Sequence, residues 1–202
     1  MKLKGFRVAI LACDGFEETE LAYPKKALEK EKALVHLIAP KTKKIKSWRH
    51  NKWHKSYPIN VLLEKAQPKS YDALLLPGGV INPDKLRTSK TAIKFIEHFF
   101  KKNKPIAAIC HGPLSLIETK RLRNRHLTSY HSIKTDLLNA GAKWENKAVV
   151  QDHKLITSRH PKDLPLFIKA LIQEFVREKD LIKRKNYRKD SLIEIIKKPF
   201  IK

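Results

Sequence analysis

Acidic residues are scarce in this chain: 20 Asp and Glu stand against 44 Lys and Arg, so 202 residues carry a formal charge of +24. Such a balance attracts polyanions and favours solubility, but it does not define a fold. The lysines are spread over nearly every segment, which reads as a compositional habit rather than a designed groove. Cysteine is limited to Cys13 and Cys110, too far apart for paired metal-ligand spacing, and nothing marks the chain as secreted. Reduced thiols in a cytoplasmic protein are therefore expected, without a disulfide framework. Long apolar runs are missing as well. Phe6 to Ala12 is too short to span a membrane and no small-residue cleavage site follows it, so no membrane partner is expected. His50 and His54 have the i, i+4 spacing of a zinc helix, yet no Glu completes that motif, and no metal or organic cofactor is expected. Glycine is reduced to six positions, which makes each retained one informative.

What remains is enough for one ordinary domain, with 42% hydrophobic residues to fill a core. Short apolar runs alternate with amphipathic ones. Phe6 to Ala12, Leu34 to Ile38, Ala73 to Leu76, Ile106 to Ile109, Ala148 to Val150 and Leu155 to Ser158 read as strands. Glu17 to Lys30, Lys90 to Lys102, Pro113 to Thr119, Ser132 to Ala140 and Lys162 to Arg177 carry apolar residues at three and four spacing and read as helices. This alternation predicts an α/β fold with a mainly parallel sheet between helix layers, whose ligands sit at the carboxyl ends of the strands. Thr42 to Pro58, rich in Lys, Trp, His and Tyr, reads as a loop or small hairpin of the length that often serves as a lid or interface. Two units follow: a domain over residues 1–176 and a basic extension over 177–202, expected to be partly helical. In the extension Leu192, Ile193, Ile195, Ile196 and Phe200 are placed to line one side of a terminal helix.

One segment carries chemistry. Pro105-Ile-Ala-Ala-Ile-Cys-His-Gly-Pro113 runs an apolar strand into Cys110, breaks at Gly112 and restarts on a proline suited to a helix start. That is the pattern of a nucleophile elbow. A thiol at a helix N-terminus meets free amides and the positive end of the dipole, which favour thiolate. His111 is adjacent; in an extended strand it points away from Cys110, whereas a sharp turn brings both into one pocket. Leu76-Pro-Gly-Gly79 ends another strand where backbone amides can approach an oxyanion, and Asp14-Gly-Phe-Glu-Glu-Thr-Glu20 places carboxylates on the same rim. Taken singly, each has a plainer reading: a buried Cys, a simple turn, acids offsetting a helix dipole. Their convergence at strand ends favours a site.

These residues resemble the PfpI family. Asp14-Gly-Phe-Glu-Glu-Thr-Glu-Leu21, Leu76-Pro-Gly-Gly-Val-Ile-Asn-Pro-Asp-Lys-Leu-Arg87, Ala107-Ala-Ile-Cys-His-Gly-Pro113, Leu127-Thr-Ser-Tyr130, Ile133-Lys-Thr-Asp136 with Asn139-Ala-Gly-Ala142, and Leu155-Ile-Thr-Ser-Arg159 with Asp163-Leu-Pro165 occur in family order over about residues 5 to 176. The resemblance implies a flavodoxin-like three-layer sandwich within the class I glutamine amidotransferase-like superfamily, in homo-oligomers such as dimers or hexamers. It makes Cys110 the nucleophile and His111 the catalytic histidine. Glu20 becomes the acid hydrogen-bonded to the thiolate, with Glu17 structural, and Asp84 an acid that reaches the histidine of a neighbouring subunit. Gly79 and the amide of His111 form the oxyanion hole, and Gly78 and Tyr130 line the substrate pocket. Three departures stand out. His131 occupies a position that is proline in similar sequences, Lys, Asn and His replace glycines around Lys120 to Arg125 and near His153, and nothing after Arg177 has a counterpart.

The function expected from this resemblance is a stress-protective thiolate enzyme acting on reactive dicarbonyls or glycated adducts, of glyoxalase or deglycase type. An intracellular cysteine peptidase using the same Cys-His-acid site is the second reading. A non-enzymatic redox sensor or chaperone, with Cys110 oxidised beside Glu20, is the third. Polyanion or nucleic-acid contact through the basic surface is an accessory reading.

Overall fold

Alternate side chains of the first apolar run face opposite ways, as a strand requires, and this alternation builds two cores. Val8, Ile10 and Ala12 join one cluster with Leu21, Leu28, Phe167 and Phe175; Ala9, Leu11 and Cys13 join another with Leu86, Phe95, Phe99 and Leu116. The structure is a computed structural model that describes residues 1–41 and 43–197, with side chains described through residue 188. The apolar stripe expected at Leu192, Ile193, Ile195, Ile196 and Phe200, and the reading that begins at Thr42, lie outside these residues and side chains.

The chain opens with β1 (Arg7–Leu11), β2 (Phe16–Glu17) and α1 (Glu18–Lys30), then β3 (Leu34–Ala39), β4 (Lys44–Arg49), β5 (Lys52–Pro58) and β6 (Val61–Leu62). It continues through β7 (Ala73–Leu76), α2 (Ile81–Arg87), α3 (Lys90–Lys101), β8 (Ile106–Ile109) and α4 (Leu114–Ile117). The last third holds β9 (His126–Leu127), α5 (Lys134–Asn139), β10 (Lys143–Trp144), β11 (Val149–Asp152), β12 (Leu155–Ser158) and α6 (Leu164–Lys197). Seven strands form one sheet in the order β11-β12-β8-β7-β1-β3-β6. Every pairing in it is parallel except that of β11 with β12. Helices α1 and α6 cover one face and α2 to α5 the other, giving the flavodoxin-like three-layer sandwich expected from the sequence.

Chain order places β3 on one side of β1 and β7 on the other, so the sheet reverses direction of growth between β1 and β7. A crevice opens outside the carboxyl ends of strands at such a switch point. The ends of β1, β7 and β8 deliver Asp14 to Glu20, Pro77 to Gly79 and Cys110 to that edge.

The segment up to Pro58 resolves as a hairpin, not a loop. Strands β4 and β5 pair antiparallel, with Arg49 opposite Lys52 and a two-residue turn whose His50 and Asn51 both have positive φ (48° and 59°). This is the twist-compatible turn of tight hairpins. The helix expected at Pro113 is a single turn, α4, and α2 is an element the apolar spacing did not announce. Around the departures from family glycines, Lys120, Asn124 and His153 hold φ of 55°, 63° and 52°, so these turns keep a left-handed backbone without glycine. Helix α6 passes through residue 177 unbroken: Glu178 pairs with Lys154, the Lys179 ammonium donates to the Lys2 carbonyl at 2.8 Å, and Ile182 packs on the core.

Candidate active site

Cys110 has φ +62°, a conformation a side-chain-bearing residue adopts only when its surroundings enforce it. They do so from both sides. Its N–H donates to the Ser158 carbonyl of β12 at 3.0 Å, its carbonyl accepts from the Tyr130 N–H at 2.9 Å, and the Gly112 N–H turns back to Ile109 O at 2.9 Å. The reversal brings neighbouring side chains together: Cys110 Sγ lies 3.3 Å from His111 Nδ1.

Glu20 arrives from the first turn of α1 and is fully buried. Its Oε2 accepts the Gly78 N–H at 2.8 Å, and the carboxyl group hydrogen-bonds the Cys110 thiol. Oε1 has no hydrogen-bond partner among the described residues. Gly78 is required here, since a Cβ would stand 2.7 Å from both Cys110 Cβ and Glu20 Oε2. Gly79 has φ +79°, and a Cβ there would collide with the Gly15 carbonyl. The backbone amides of Gly79 and His111 both reach the Cys110 sulfur. Asn82, also buried, holds the two loops in register: its Oδ1 accepts from Cys13 N–H at 2.8 Å and its Nδ2 donates to the Pro77 carbonyl at 2.9 Å.

Burial pushes Glu20 up to about 8, against the opposing hydrogen bonds from Gly78 and Cys110, so it carries its proton at neutral pH. Burial, together with the charge Glu20 bears once ionised, lifts the Cys110 thiol well above its ordinary value, while the two amides draw it down. The dipole argument made from the sequence gives way here. A four-residue α4 has little dipole to offer, and Cys110 is only 7% exposed. A thiol so buried and lifted needs a neighbouring group to take its proton before it can act as a thiolate. When Glu20 is protonated its charge is absent; when ionised, its carboxylate accepts from the thiol.

His111 places a ring nitrogen beside the sulfur. Burial, and then the nearby His131, hold its imidazole below the ordinary histidine range. Tyr130 stacks on its ring at 4.9 Å and 26°, and the ring of His131 lies 4.4 Å from that of Tyr130. The other ring nitrogen, Nε2, is 3.0 Å from Ser132 Oγ. Ser132 is the contact that reading the sequence missed. Within the single chain Asp84, expected to act on a neighbouring subunit, is exposed on α2 and its carboxylate has no partner among the described residues. Glu17 is half-buried and accepts from the Thr19 hydroxyl at 3.2 Å. Among the described residues no group of three or more His, Cys, Asp or Glu could hold a metal ion, and no helix is long and apolar enough to cross a membrane.

A parallel sandwich with a cysteine on a strained elbow at the switch point, flanked by histidine and a buried acid, defines a class of α/β proteins built around one reactive thiol. Comparison with known families narrows the class. The model of the DJ-1/PfpI family matches residues 6–174, and the chain belongs to that family. A deglycase of Pyrococcus abyssi is 40% identical over 85% of this chain and 98% of its own length. The deglycase PfpI of Pyrococcus furiosus is 36% identical over 85% and 98%. YraA of Bacillus subtilis, whose name proposes a cysteine protease, is 38% identical over 80% and 93%. Among solved structures, a two-domain Anabaena variabilis protein with DJ-1/ThiJ/PfpI-like and ferritin-like domains superposes with a TM-score of 0.79 at 33% identity. That match covers 83% of this chain and 47% of the other.

Proposed function

We propose that this chain is a cysteine-dependent enzyme that converts reactive dicarbonyls, or the early adducts they form with amines and thiols, to hydroxy acids. The observation that carries the reading is the 3.3 Å approach of Cys110 Sγ to His111 Nδ1, on an elbow whose sulfur also meets Glu20 and two backbone amides. His111 accepts the thiol proton, and the thiolate attacks the aldehyde carbon of a substrate such as methylglyoxal. A C–S bond forms, and the carbonyl oxygen becomes an oxyanion within reach of the Gly79 and His111 amides. The hydrogen on that carbon leaves as a proton and returns to the adjacent carbonyl carbon, producing a lactoyl thioester. Water then cleaves the C–S bond and releases lactate and free thiol. Glu20, titrating near 8 with one oxygen unpartnered, is suited to move that proton both ways near neutral pH. No step requires a cofactor.

The peptidase reading uses the same groups and is favoured by the name of the Bacillus subtilis relative. Limited access to Cys110 favours a small substrate over an extended chain. Wild-type protein is expected to form lactate from methylglyoxal and to leave casein intact, and Cys110→Ala to fall to the buffer rate. Lactate formation surviving in Cys110→Ala would refute the proposal, and casein cleavage lost with the same substitution would put peptide hydrolysis in its place.

A further inference from the structure

Helix α6 changes its surroundings at Ile182. Up to that residue its basic side chains answer to the body of the protein: Arg177 pairs with Glu174 at 3.0 Å, the Lys179 ammonium donates to the Lys2 carbonyl at 2.8 Å, and Ile182 itself packs on the core. From Lys183 to Arg188 every residue is exposed, while the helix runs on to Lys197. Lys183, Arg184, Lys185 and Arg188 are cations, Asn186 and Tyr187 are neutral, and no acid lies between them. None of the four cations is in an ion pair among the described residues, although Asp180 is exposed only one turn earlier. The match to the family has already ended, at residue 174.

With 3.6 residues per turn, the four cations sweep about 200° of the helix circumference, so they address two walls rather than one plane. Arg184 and Arg188 stand four apart, a like-charge spacing that weakens a helix unless an anion joins them. Half of the set is arginine, whose planar fork pairs with phosphate. Tyr187, 76% exposed, adds a hydroxyl of the kind that reaches phosphate oxygens, and it bounds one open hollow with Lys183, Arg184 and Arg188. We propose that this stretch of α6 is a docking surface for double-stranded DNA, entering the major groove and held by phosphates on both walls. A helix with its side chains is about 10–12 Å across and that groove is about 12 Å wide. Duplex RNA closes the corresponding groove to a helix, and an unpaired strand calls for a concave basic channel rather than a convex rod. A lipid surface calls for an apolar face, and residues 183–188 include no Leu, Ile, Val or Phe. A second copy of the chain would bring the same four cations on a molecule of charge +24. The contacts are to the DNA backbone, so binding is expected to be indifferent to base sequence, and it is independent of the chemistry at Cys110.

Net charge alone draws this protein to any polyanion, so the test compares two variants that lose the same charge from different places. The full chain is titrated onto a short fluorescent duplex of mixed sequence, by anisotropy, over a range of KCl concentrations. K183Q/R184Q/K185Q/R188Q empties the extension, and K65Q/K90Q/K94Q/K169Q removes four equally exposed lysines from the body. Each phosphate contact contributes about 0.9 to the slope of log affinity against log salt. The extension variant is therefore expected to lose about three to four from that slope and to bind more than tenfold more weakly near 0.1 M salt, while the body variant keeps the wild-type slope. Equal losses in the two variants would overturn the proposal, since net charge would then suffice. Tighter binding to an unpaired strand of the same length, or to phosphatidylserine vesicles, than to the duplex would also overturn it. So would a wild-type assembly, followed by sedimentation, that dissociates in the extension variant while DNA binding stays unchanged, which would give the surface to a second copy.

Discussion

With Glu20 pushed up to about 8 and Cys110 lifted well above its ordinary value by the same burial, the two form a coupled pair in which a charge on either is felt by the other. On the carboxylate that charge lifts the thiol; on the sulfur it is met by the two backbone amides. Alkylation of Cys110 is accordingly expected to keep quickening as pH rises beyond about 8, and a rate that levels off where Glu20 titrates would contradict this order of ionisation. Glu20→Gln separates the two duties of the acid. The glutamine keeps a donor near the sulfur and removes the competing charge, so alkylation should persist while lactate formation falls by about 100-fold or more, the usual contribution of a proton-transfer group. Alkylation and turnover failing together would assign Glu20 a structural role only. The meeting of Cys110 and His111 with the Asp14–Glu20 and Pro77–Gly79 segments was legible because a parallel sheet gathers its loops at the strand ends, and the family resemblance singled out Glu20 and Gly79 within those segments. Ser132 was not: it meets His111 across 21 positions of sequence, and the meeting depends on where the turn after β9 places a hydroxyl.

At the scale of elements, the core strands and α1, α3 and α6 followed from apolar periodicity, because burial against a sheet face enforces that period. Helix α2 did not. Its opening Ile-Asn-Pro reads as a loop, although proline is tolerated in a first helical turn, and Asn82 there is buried for the sake of the β1 and β7 loops. The hairpin β4–β5 was ambiguous for a related reason: its anchor lies elsewhere in the chain. Glu18, buried in α1, accepts from Ser47 Oγ at 2.9 Å, is bonded by His54 Nδ1 and lies 3.6 Å from Arg49. Burial alone would raise this carboxyl, but the hydrogen bonds from His54 and Ser47 outweigh it and hold it below the ordinary range. His54→Ala leaves a buried carboxylate short of a partner, and a loss of about 1–3 kcal/mol in urea unfolding is expected. An unchanged midpoint would mean that β5 is held by strand pairing alone.

For the whole molecule, the family match ends at residue 174 while α6 continues to Lys197, so the basic extension grows out of the family's last helix. Composition announced the net charge of +24 and left its use open, because charge so widely spread marks no particular face. The fold as a whole does treat its two cysteines differently. Cys13 lies between β1 and α2, its thiol directed at the Asn82 carbonyl at 3.4 Å, and burial pushes it up to about 12. Cys110 is ringed by proton acceptors and donors at the switch point. Peptide-resolved alkylation of the native protein near pH 8 therefore tests the central claim most directly. Cys110 should be modified while Cys13 stays protected until the protein is unfolded; a Cys110 as inert as Cys13 would contradict the account.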